Sequence, residues 1–260
     1  MCKKSEVGRV VWHDLITHDV ARAKRFYADL LGWEYQIEHA SDFVWKPGEA
    51  DYPLIFANGQ AHGGLVDVGE DISSYWIAYV MVEDVDTVTT KAKTLGALIE
   101  REPFDTPGVG RGAVHRDPQG AIISPFCPSY GFPAPDGIFL WDELITDDVE
   151  SAQRFYSELF AWHVTDIDVG QMSRSSVFKC VNHTDVVGVT THLFDEIGFS
   201  AWISYLATND VDATLVKAKM LGASVIMEGT DMPKLGRCAI LVDPTGAIFG
   251  LLAPGRSYKN

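Results

Sequence analysis

The chain has 260 residues, a length that suits two domains of ordinary size. Acidic side chains outnumber basic ones by 36 to 21, which gives a formal net charge of −15. Such a charge repels nucleic-acid phosphates and anionic membranes, so we expect neither as a partner. No apolar run approaches the roughly 20 residues that span a bilayer, and the first residues do not resemble a signal peptide.

The cysteine pattern bears on the compartment. Four cysteines are spread along the chain without a CxxC pair: Cys2, Cys127, Cys180 and Cys238. At this chain length the pattern predicts free thiols rather than a disulfide framework. The sequence therefore predicts a cytoplasmic protein.

The first part of the chain predicts a strand, a helix and further short strands. An apolar strand covers Val10–Ile16, and Asp19 can cap the helix that follows. Glycine, proline and asparagine turns separate the later strands, which are expected around Phe43–Trp45, Leu54–Ala57 and Gly64–Val68.

The same order of elements then recurs. A strand at Trp76–Val82 leads into a helix that Asp84 or Asp86 can cap and that stops at Gly96. Three strands are expected after it, near Leu98–Arg101, Ala113–Arg116 and Ala121–Phe126. The repeating unit is therefore a β-α-β-β-β module.

The second half of the chain repeats the first. Twelve of 25 aligned positions are identical between Arg9–Trp33 and Ile138–Trp162. Twelve of 23 are identical between Tyr75–Ala97 and Ala201–Ala223. Both identities are far higher than chance gives. A third match joins two Asp-Pro-x-Gly-Ala-Ile segments, which begin at Asp117 and Asp243. The sequence thus predicts two α+β domains, 5–128 and 134–254, joined by a segment rich in proline and glycine.

These motifs resemble the vicinal oxygen chelate superfamily, which includes glyoxalase I, extradiol dioxygenases and bleomycin-resistance proteins. The motifs that carry the resemblance are a helix with Phe-Tyr, a helix with Asp-Val-Asp and Leu-Gly-Ala, and Gly-Arg followed by Asp-Pro-x-Gly. Each occurs twice, as in a four-module tandem subgroup. The resemblance implies two glyoxalase-like domains, each with two βαβββ units that form a half-open barrel around a cavity.

Enzymes of the superfamily hold a divalent metal in that cavity through four side chains. Three of these positions align readily, and in this chain they carry Trp12, Ile77 and Ser124 in one copy and Trp141, Ile203 and Gly250 in the other. Tryptophan, isoleucine and glycine side chains cannot coordinate a metal, and serine does so poorly. The fourth position aligns less clearly, and Asp67 is the carboxylate nearest to it. We therefore expect no family-type metal and no other cofactor.

Strand alternation places several polar and aromatic residues on the expected cavity face. Asp14 and Glu143 share that face with Trp12 and Trp141, either to bind a ligand or act as a base, or to pair with an arginine such as Arg111 or Arg237. The predicted ligand-binding set is Trp12, Asp14, Tyr79, Ser124, Trp141, Glu143 and Tyr205. Tyr79 and Tyr205 could equally fill the barrel, whereas Trp76 and Trp202 have the opposite parity and should pack under the helices.

Other polar residues have mainly structural interpretations. His13, His62 and His115 could form a site that the second copy lacks, but such histidines more often belong to the core or surface. Arg111 and Arg237 are expected to bond turn carbonyls or the aspartate of Asp-Pro.

The sequence therefore favours a metal-independent protein that binds a small aromatic or cationic molecule. The alternatives are a metal-dependent lyase, isomerase or dioxygenase with ligands that the alignment misses, and a scaffold that works through protein contacts. Whether any reaction is catalysed stays open, so no catalytic residue is assigned. A monomer and a homodimer are both compatible with the sequence.

Overall fold

The computed structural model describes residues 6–41, 49–69, 72–106, 109–129, 136–167, 175–180, 185–191, 200–232 and 235–255. Within these residues the chain contains four helices and sixteen strands, in the order of four β-α-β-β-β modules. The α+β class and the fourfold module are confirmed. The strand expected around Phe43–Trp45 lies outside the described residues.

The first module follows the predicted order. It consists of β1 (Val10–Thr17), α1 (Val20–Leu31), β2 (Glu34–Ser41), β3 (Glu49–Ala57) and β4 (Gln60–Asp67). Asp19 caps α1 by accepting a 2.9 Å hydrogen bond from the backbone N–H of Arg22. Strand β2 was not predicted, because its sequence Glu-Tyr-Gln-Ile-Glu-His-Ala-Ser has only a weak apolar alternation at the edge of a sheet.

The second module completes the first copy. It contains β5 (Tyr75–Met81), α2 (Val85–Thr94), β6 (Leu98–Thr106), β7 (Gly110–Arg116) and β8 (Ile122–Pro128). Of the two candidate caps, Asp84 is the one used, since its carboxylate accepts the backbone N–H of Thr87 at 3.1 Å. The chain leaves the helix through Gly96, whose φ of 91° favours glycine.

The second copy repeats these ten elements. They are β9 (Phe139–Thr146), α3 (Val149–Phe160), β10 (His163–Ile167), β11 (Ser175–Lys179), β12 (Asp185–Thr191), β13 (Ala201–Ala207), α4 (Val211–Met220), β14 (Ser224–Met232), β15 (Gly236–Val242) and β16 (Ile248–Pro254). Asp148 and Asp210 cap its two helices as their counterparts do in the first copy.

The strands form two mixed sheets, one for each copy. Their orders are β2-β3-β4-β1-β5-β8-β7-β6 and β10-β11-β12-β9-β13-β16-β15-β14. The first strand of a module pairs in parallel with its last strand, as β1 does with β4 and β5 with β8. Both sheets have two edge strands and do not close, which agrees with the expected pair of tandem, half-open glyoxalase-like domains.

Packing divides the chain in another way. The first packing unit comprises Met1–Trp12, Ile77–Ala134 and Trp141–Trp202, and the second comprises His13–Trp76, Pro135–Leu140 and Ile203–Asn260. Each unit therefore combines a module from one copy with a module from the other. The domain bounds 5–128 and 134–254 describe the repeat in sequence and remain a prediction.

A buried chain of hydrogen bonds runs through the second packing unit. The indole N–H of Trp76 donates to the Tyr27 hydroxyl at 3.0 Å, and that hydroxyl donates to Oδ2 of Asp243 at 2.9 Å. The other oxygen of Asp243 accepts the backbone N–H groups of Thr245 and Ala247, which shapes the Asp-Pro-x-Gly turn. A helix of the first copy is thereby bonded to a turn of the second.

The first packing unit contains the same arrangement with the copies exchanged. Trp202 donates to the Tyr156 hydroxyl at 2.9 Å, and Tyr156 donates to Asp117 at 2.8 Å. Burial raises the pKa of both tyrosines and of both aspartates. The prediction that Trp76 and Trp202 pack under the helices is confirmed.

The cysteines differ from the expectation of free thiols. Cys180 is a free, buried thiol and Cys238 is also buried, whereas Cys127 is disulfide-bonded. Cys127 lies in β8, and its position in the sequence gave no sign of a bonded partner. Among the described residues, no helix is both long and apolar enough to cross a membrane.

The hydrogen-bonded chain predicts a loss of stability in Tyr27→Phe. The substitution keeps the ring but leaves the Trp76 N–H and one Asp243 oxygen unpaired in the core. We expect the free energy of unfolding, measured by urea denaturation, to fall by roughly 2 kcal/mol.

The matched control is Tyr35→Phe. The Tyr35 hydroxyl is buried and has no hydrogen-bond partner among the described residues. Removing it should leave stability unchanged or raise it slightly. Equal losses in the two variants would show that the hydroxyl bond of Tyr27 does not stabilise the unit.

Candidate functional site

The two faces of each sheet have different surroundings. Leu15 and Leu144 are fully buried in the cores that contain the helices. Because side chains alternate along a strand, Asp14 and Glu143 lie on the face that the helices do not cover.

In the second packing unit, Asp14 is held by a tyrosine. The Tyr52 hydroxyl of β3 donates to Oδ1 of Asp14 at 2.5 Å, and Asp14 is 3% exposed. Gly64 lies beside Asp14 on β4, and a Cβ atom there would overlap the Tyr52 ring. The glycine thus makes room for the tyrosine that engages the buried carboxylate.

The first packing unit contains the corresponding strands of the second copy. Gly188 on β12 lies beside Glu143, as Gly64 does beside Asp14. Here the ring above the glycine belongs to Trp141, since a Cβ atom on Gly188 would lie 3.0 Å from its Nε1. Trp141 is 7% exposed, and its indole N–H has no hydrogen-bond partner among the described residues.

Tyr205 and Gly250 come together in the second packing unit. They are register partners on the parallel strands β13 and β16. A Cβ atom at Gly250 would overlap the Tyr205 ring, so the ring occupies the space of the missing side chain. Tyr205 therefore fills the space at this point of the sheet.

The equivalent positions of the first copy are Tyr79 and Ser124, in the first packing unit. They are also register partners, on β5 and β8. The Ser124 hydroxyl donates to the backbone carbonyl of Ala113 at 2.7 Å, and Tyr79 packs edge-on against Phe126. The hydroxyl of Ser124 is thus engaged by the backbone of its own sheet.

These residues do not fit the metal of the superfamily. A ring covers Gly250, and the hydroxyl of Ser124 is bonded to a carbonyl. Asp67 is exposed, and its carboxylate accepts the backbone N–H of Gly69 at 3.0 Å. Across the described part of the chain, no group of three or more His, Cys, Asp or Glu side chains could hold a metal ion.

The arginines have other partners than the sequence suggested. Arg111 binds Asp86 with two nitrogens and Asp105 with a third, at 2.7–2.9 Å. Arg237 binds Asp212 and Asp231 in the same way. The expected bonds to Asp14, to Glu143 or to the aspartate of Asp-Pro were wrong. Both arginines join the start of a helix to the neighbouring hairpin, and their hydrogen bonds lower the pKa of Asp86 and Asp212.

The histidines occupy separate structural positions. His13 is buried and stacks on Phe139 with ring centroids 3.9 Å apart, while a ring nitrogen of His62 lies 3.0 Å from the Ala57 carbonyl. His115 is fully buried under α2, where its Nε2 lies 3.0 Å from the Thr89 hydroxyl. Its Nδ1 has no hydrogen-bond partner among the described residues. The structural interpretation of these histidines is therefore favoured.

The predicted set is only partly assembled within the units. Tyr79 lies opposite Ser124, and Trp141 shares a strand face with Glu143. Trp12 is partly exposed in the first packing unit, and Asp14 belongs to the second. The sequence missed Tyr52, whose position opposite the Gly63-Gly64 strand was the available signal.

Known proteins resemble this chain over nearly its whole length. The family model for the bleomycin resistance protein-like N-terminal region matches residues 9–42. CFP32 of Mycobacterium bovis, whose name gives glyoxylase as a provisional assignment, is 31% identical over 98% of both chains. The chain belongs to the vicinal oxygen chelate superfamily. The anthracycline biosynthesis protein DauV of Streptomyces sp. strain C5 is 29% identical and covers 96% of this chain and 95% of its own.

Solved structures of the superfamily share the fold. The 2,2',3-trihydroxybiphenyl 1,2-dioxygenase of Sphingomonas wittichii superposes with a TM-score of 0.63 at 14% identity, over 95% of this chain and 90% of that one. The Mn(II)-bound glyoxalase of Novosphingobium aromaticivorans gives a TM-score of 0.58 at 14% identity, over 95% and 82%. At such identities the likeness concerns the architecture alone.

The buried His115 predicts a loss of stability in acid. Burial lowers its pKa from 6.5 to about 4, so the folded protein keeps it neutral while the unfolded chain takes up a proton. Stability should therefore fall as the pH drops from about 6.5 to 4, by at most about 3 kcal/mol from this residue.

His115→Leu tests this, since Leu241 occupies the equivalent position of the second copy. Urea denaturation at pH 7.5 and pH 5 should show a smaller loss in the variant than in the parent chain. The exposed His39 provides the control His39→Gln, which should keep the parent's dependence. An unchanged loss in His115→Leu would contradict the assignment.

Proposed function

We propose that this protein binds a small molecule, aromatic or cationic, without the metal centre of its superfamily. The observation that carries the proposal is the side chains at the aligned metal-ligand positions, which are Trp12, Ile77 and Ser124 in one copy and Trp141, Ile203 and Gly250 in the other. The Tyr205 ring covers Gly250, and the Ser124 hydroxyl is bonded to a backbone carbonyl.

The chemistry of the uncovered faces supports a binding role. Aromatic rings there adjoin the carboxyl groups of Asp14 and Glu143, and apolar surfaces with a few placed polar groups are typical of ligand sites. An aromatic surface next to a carboxylate suits planar or cationic molecules, since ring faces attract cations. The negative charge of the whole chain favours cationic ligands as well.

The relatives guide the choice of ligand class. DauV carries anthracycline biosynthesis in its name, and anthracyclines combine a planar ring system with an amino sugar. Such a molecule has both properties that the uncovered faces favour. We therefore place planar polycyclic ketones, with and without an amino group, at the head of a ligand panel.

A metal-dependent lyase or dioxygenase remains the competing proposal. The Mn(II)-bound glyoxalase and the trihydroxybiphenyl dioxygenase share the architecture of this chain. In that case the protein would need metal-coordinating side chains other than those at the aligned positions. Elemental analysis of the purified chain therefore also tests whether it could catalyse a metal-dependent reaction.

The metal content of the purified chain separates these proposals. We expect protein prepared without chelators to contain well under one equivalent of manganese, iron, zinc or nickel per chain by elemental analysis. Addition of these ions should leave the melting temperature unchanged, since a bound metal would stabilise the folded state. A content near one or two equivalents would overturn the metal-free proposal.

Ligand binding is tested in parallel by thermal shift. Saturation with a specific ligand at roughly 100 times its Kd should stabilise the fold by about 2.7 kcal/mol and raise the melting temperature by several degrees. Planar ketones and cationic polycycles should produce shifts, whereas aliphatic acids of similar size should not. A panel without any shift would contradict a binding function.

A further inference from the structure

The two copies differ on the uncovered face beside Asp14 and Glu143. In the first copy, Tyr52 covers Gly64 and donates to Asp14. In the second copy, the register of β11 with β12 places Ser175 at the position that corresponds to Tyr52. The ring of Trp141 takes the equivalent place above Gly188.

Trp141 differs from three other buried indoles of the described residues. Trp76 and Trp202 donate to tyrosine hydroxyls, and Trp162 donates to the Gly8 carbonyl at 2.7 Å. The N–H of Trp141 is buried and lacks a hydrogen-bond partner within the described residues. Buried donors are nearly always paired, and an unpaired one on the candidate site face is available to an acceptor that a ligand supplies.

We propose that the indole N–H of Trp141 donates to an acceptor oxygen of the ligand, and that the second copy is the one that recognises it. This inference rests on the proposed binding function and specifies its chemistry. A carbonyl oxygen on a planar ring suits the site, because the indole supplies a donor at its edge and an apolar surface beside it.

Glu143 adds a second preference. It lies two residues after Trp141 on the same face of β9, which places a carboxyl group beside the indole. A ligand with a ring carbonyl and a nearby ammonium group would meet both the donor and the carboxyl group.

A matched pair of probes tests the role of the carbonyl. 2-(Aminomethyl)anthraquinone and 2-(aminomethyl)anthracene share three fused rings and an ammonium group, but only the quinone offers carbonyl acceptors. We expect calorimetry on the full chain to show that the quinone binds about tenfold more tightly, as one hydrogen bond predicts.

Trp141→Phe removes the N–H donor and retains an aromatic ring. It should reduce quinone affinity about tenfold and leave anthracene affinity nearly unchanged, which abolishes the discrimination. Trp12→Phe makes the same change at the equivalent position of the first copy and should preserve the discrimination. Equal losses for both probes in Trp141→Phe, or loss of discrimination in Trp12→Phe instead, would overturn the inference.

The indole proton gives a readout that does not depend on affinity. In a ¹⁵N-labelled chain, the resonance absent from Trp141→Phe identifies the Trp141 N–H. It should move downfield with the quinone and much less with the anthracene. An unmoved resonance at saturation with the quinone contradicts a hydrogen bond at this atom even if both probes bind.

The outcomes distinguish a failure of this inference from a failure of the proposed binding function. Binding of both probes without discrimination overturns the role of Trp141 and leaves the binding function standing. Binding of neither probe also overturns the inference. The binding function itself fails only when no compound of the thermal-shift panel raises the melting temperature.

Discussion

The hydrogen bond from a helix tyrosine to the aspartate of an Asp-Pro-x-Gly turn holds each packing unit together. It joins Tyr27 to Asp243 in one unit and Tyr156 to Asp117 in the other. Each aspartate uses one oxygen for its own turn and the other for a tyrosine from the opposite copy. Because these groups are buried, an unmade bond would leave one desolvated carboxyl oxygen without a partner.

This bond explains why the sequence motifs occur as a set. The Phe-Tyr pair, the strand tryptophan and Asp-Pro-x-Gly are far apart in sequence, yet they form one hydrogen-bonded chain in each unit. Gly246 closes the turn with a φ of 99°, a conformation that favours glycine. The motifs that identified the superfamily are therefore requirements of the fold, and they carry no direct information about a ligand.

Local structure was predictable from the sequence, whereas the pairing of modules was not. Helix caps such as Asp19 and the alternation of β1 follow from short-range rules, and the structure agrees with both. The partner of Tyr27 could not be predicted, because Asp117 and Asp243 occur in the same motif and each could accept its proton. The partners of Arg111 were missed for a similar reason, since they lie 25 and 6 residues away on a helix and a strand.

The candidate site was harder to predict than the fold because its signals are small residues. Gly64 and Gly188 mark places where a ring lies against the sheet, but a glycine in a strand does not reveal which ring covers it. The ring over Gly64 belongs to Tyr52 of β3, whereas the ring over Gly188 belongs to Trp141 of β9. Equivalent glycines thus support different arrangements, which a comparison of the two copies in sequence could not distinguish.

Under the proposed function, stability and ligand recognition therefore depend on opposite faces of the same strands. The face under the helices carries the same Trp-Tyr-Asp chain in both units, so a change there removes bonds on which the fold depends. The uncovered face varies between the copies: Asp14 corresponds to Glu143, Tyr52 to Ser175, and Ser124 to Gly250. Because the two Trp-Tyr-Asp chains consist of other residues, the uncovered faces can differ without changing those chains. A duplicated chain can in this way keep one architecture and present two different surfaces to ligands.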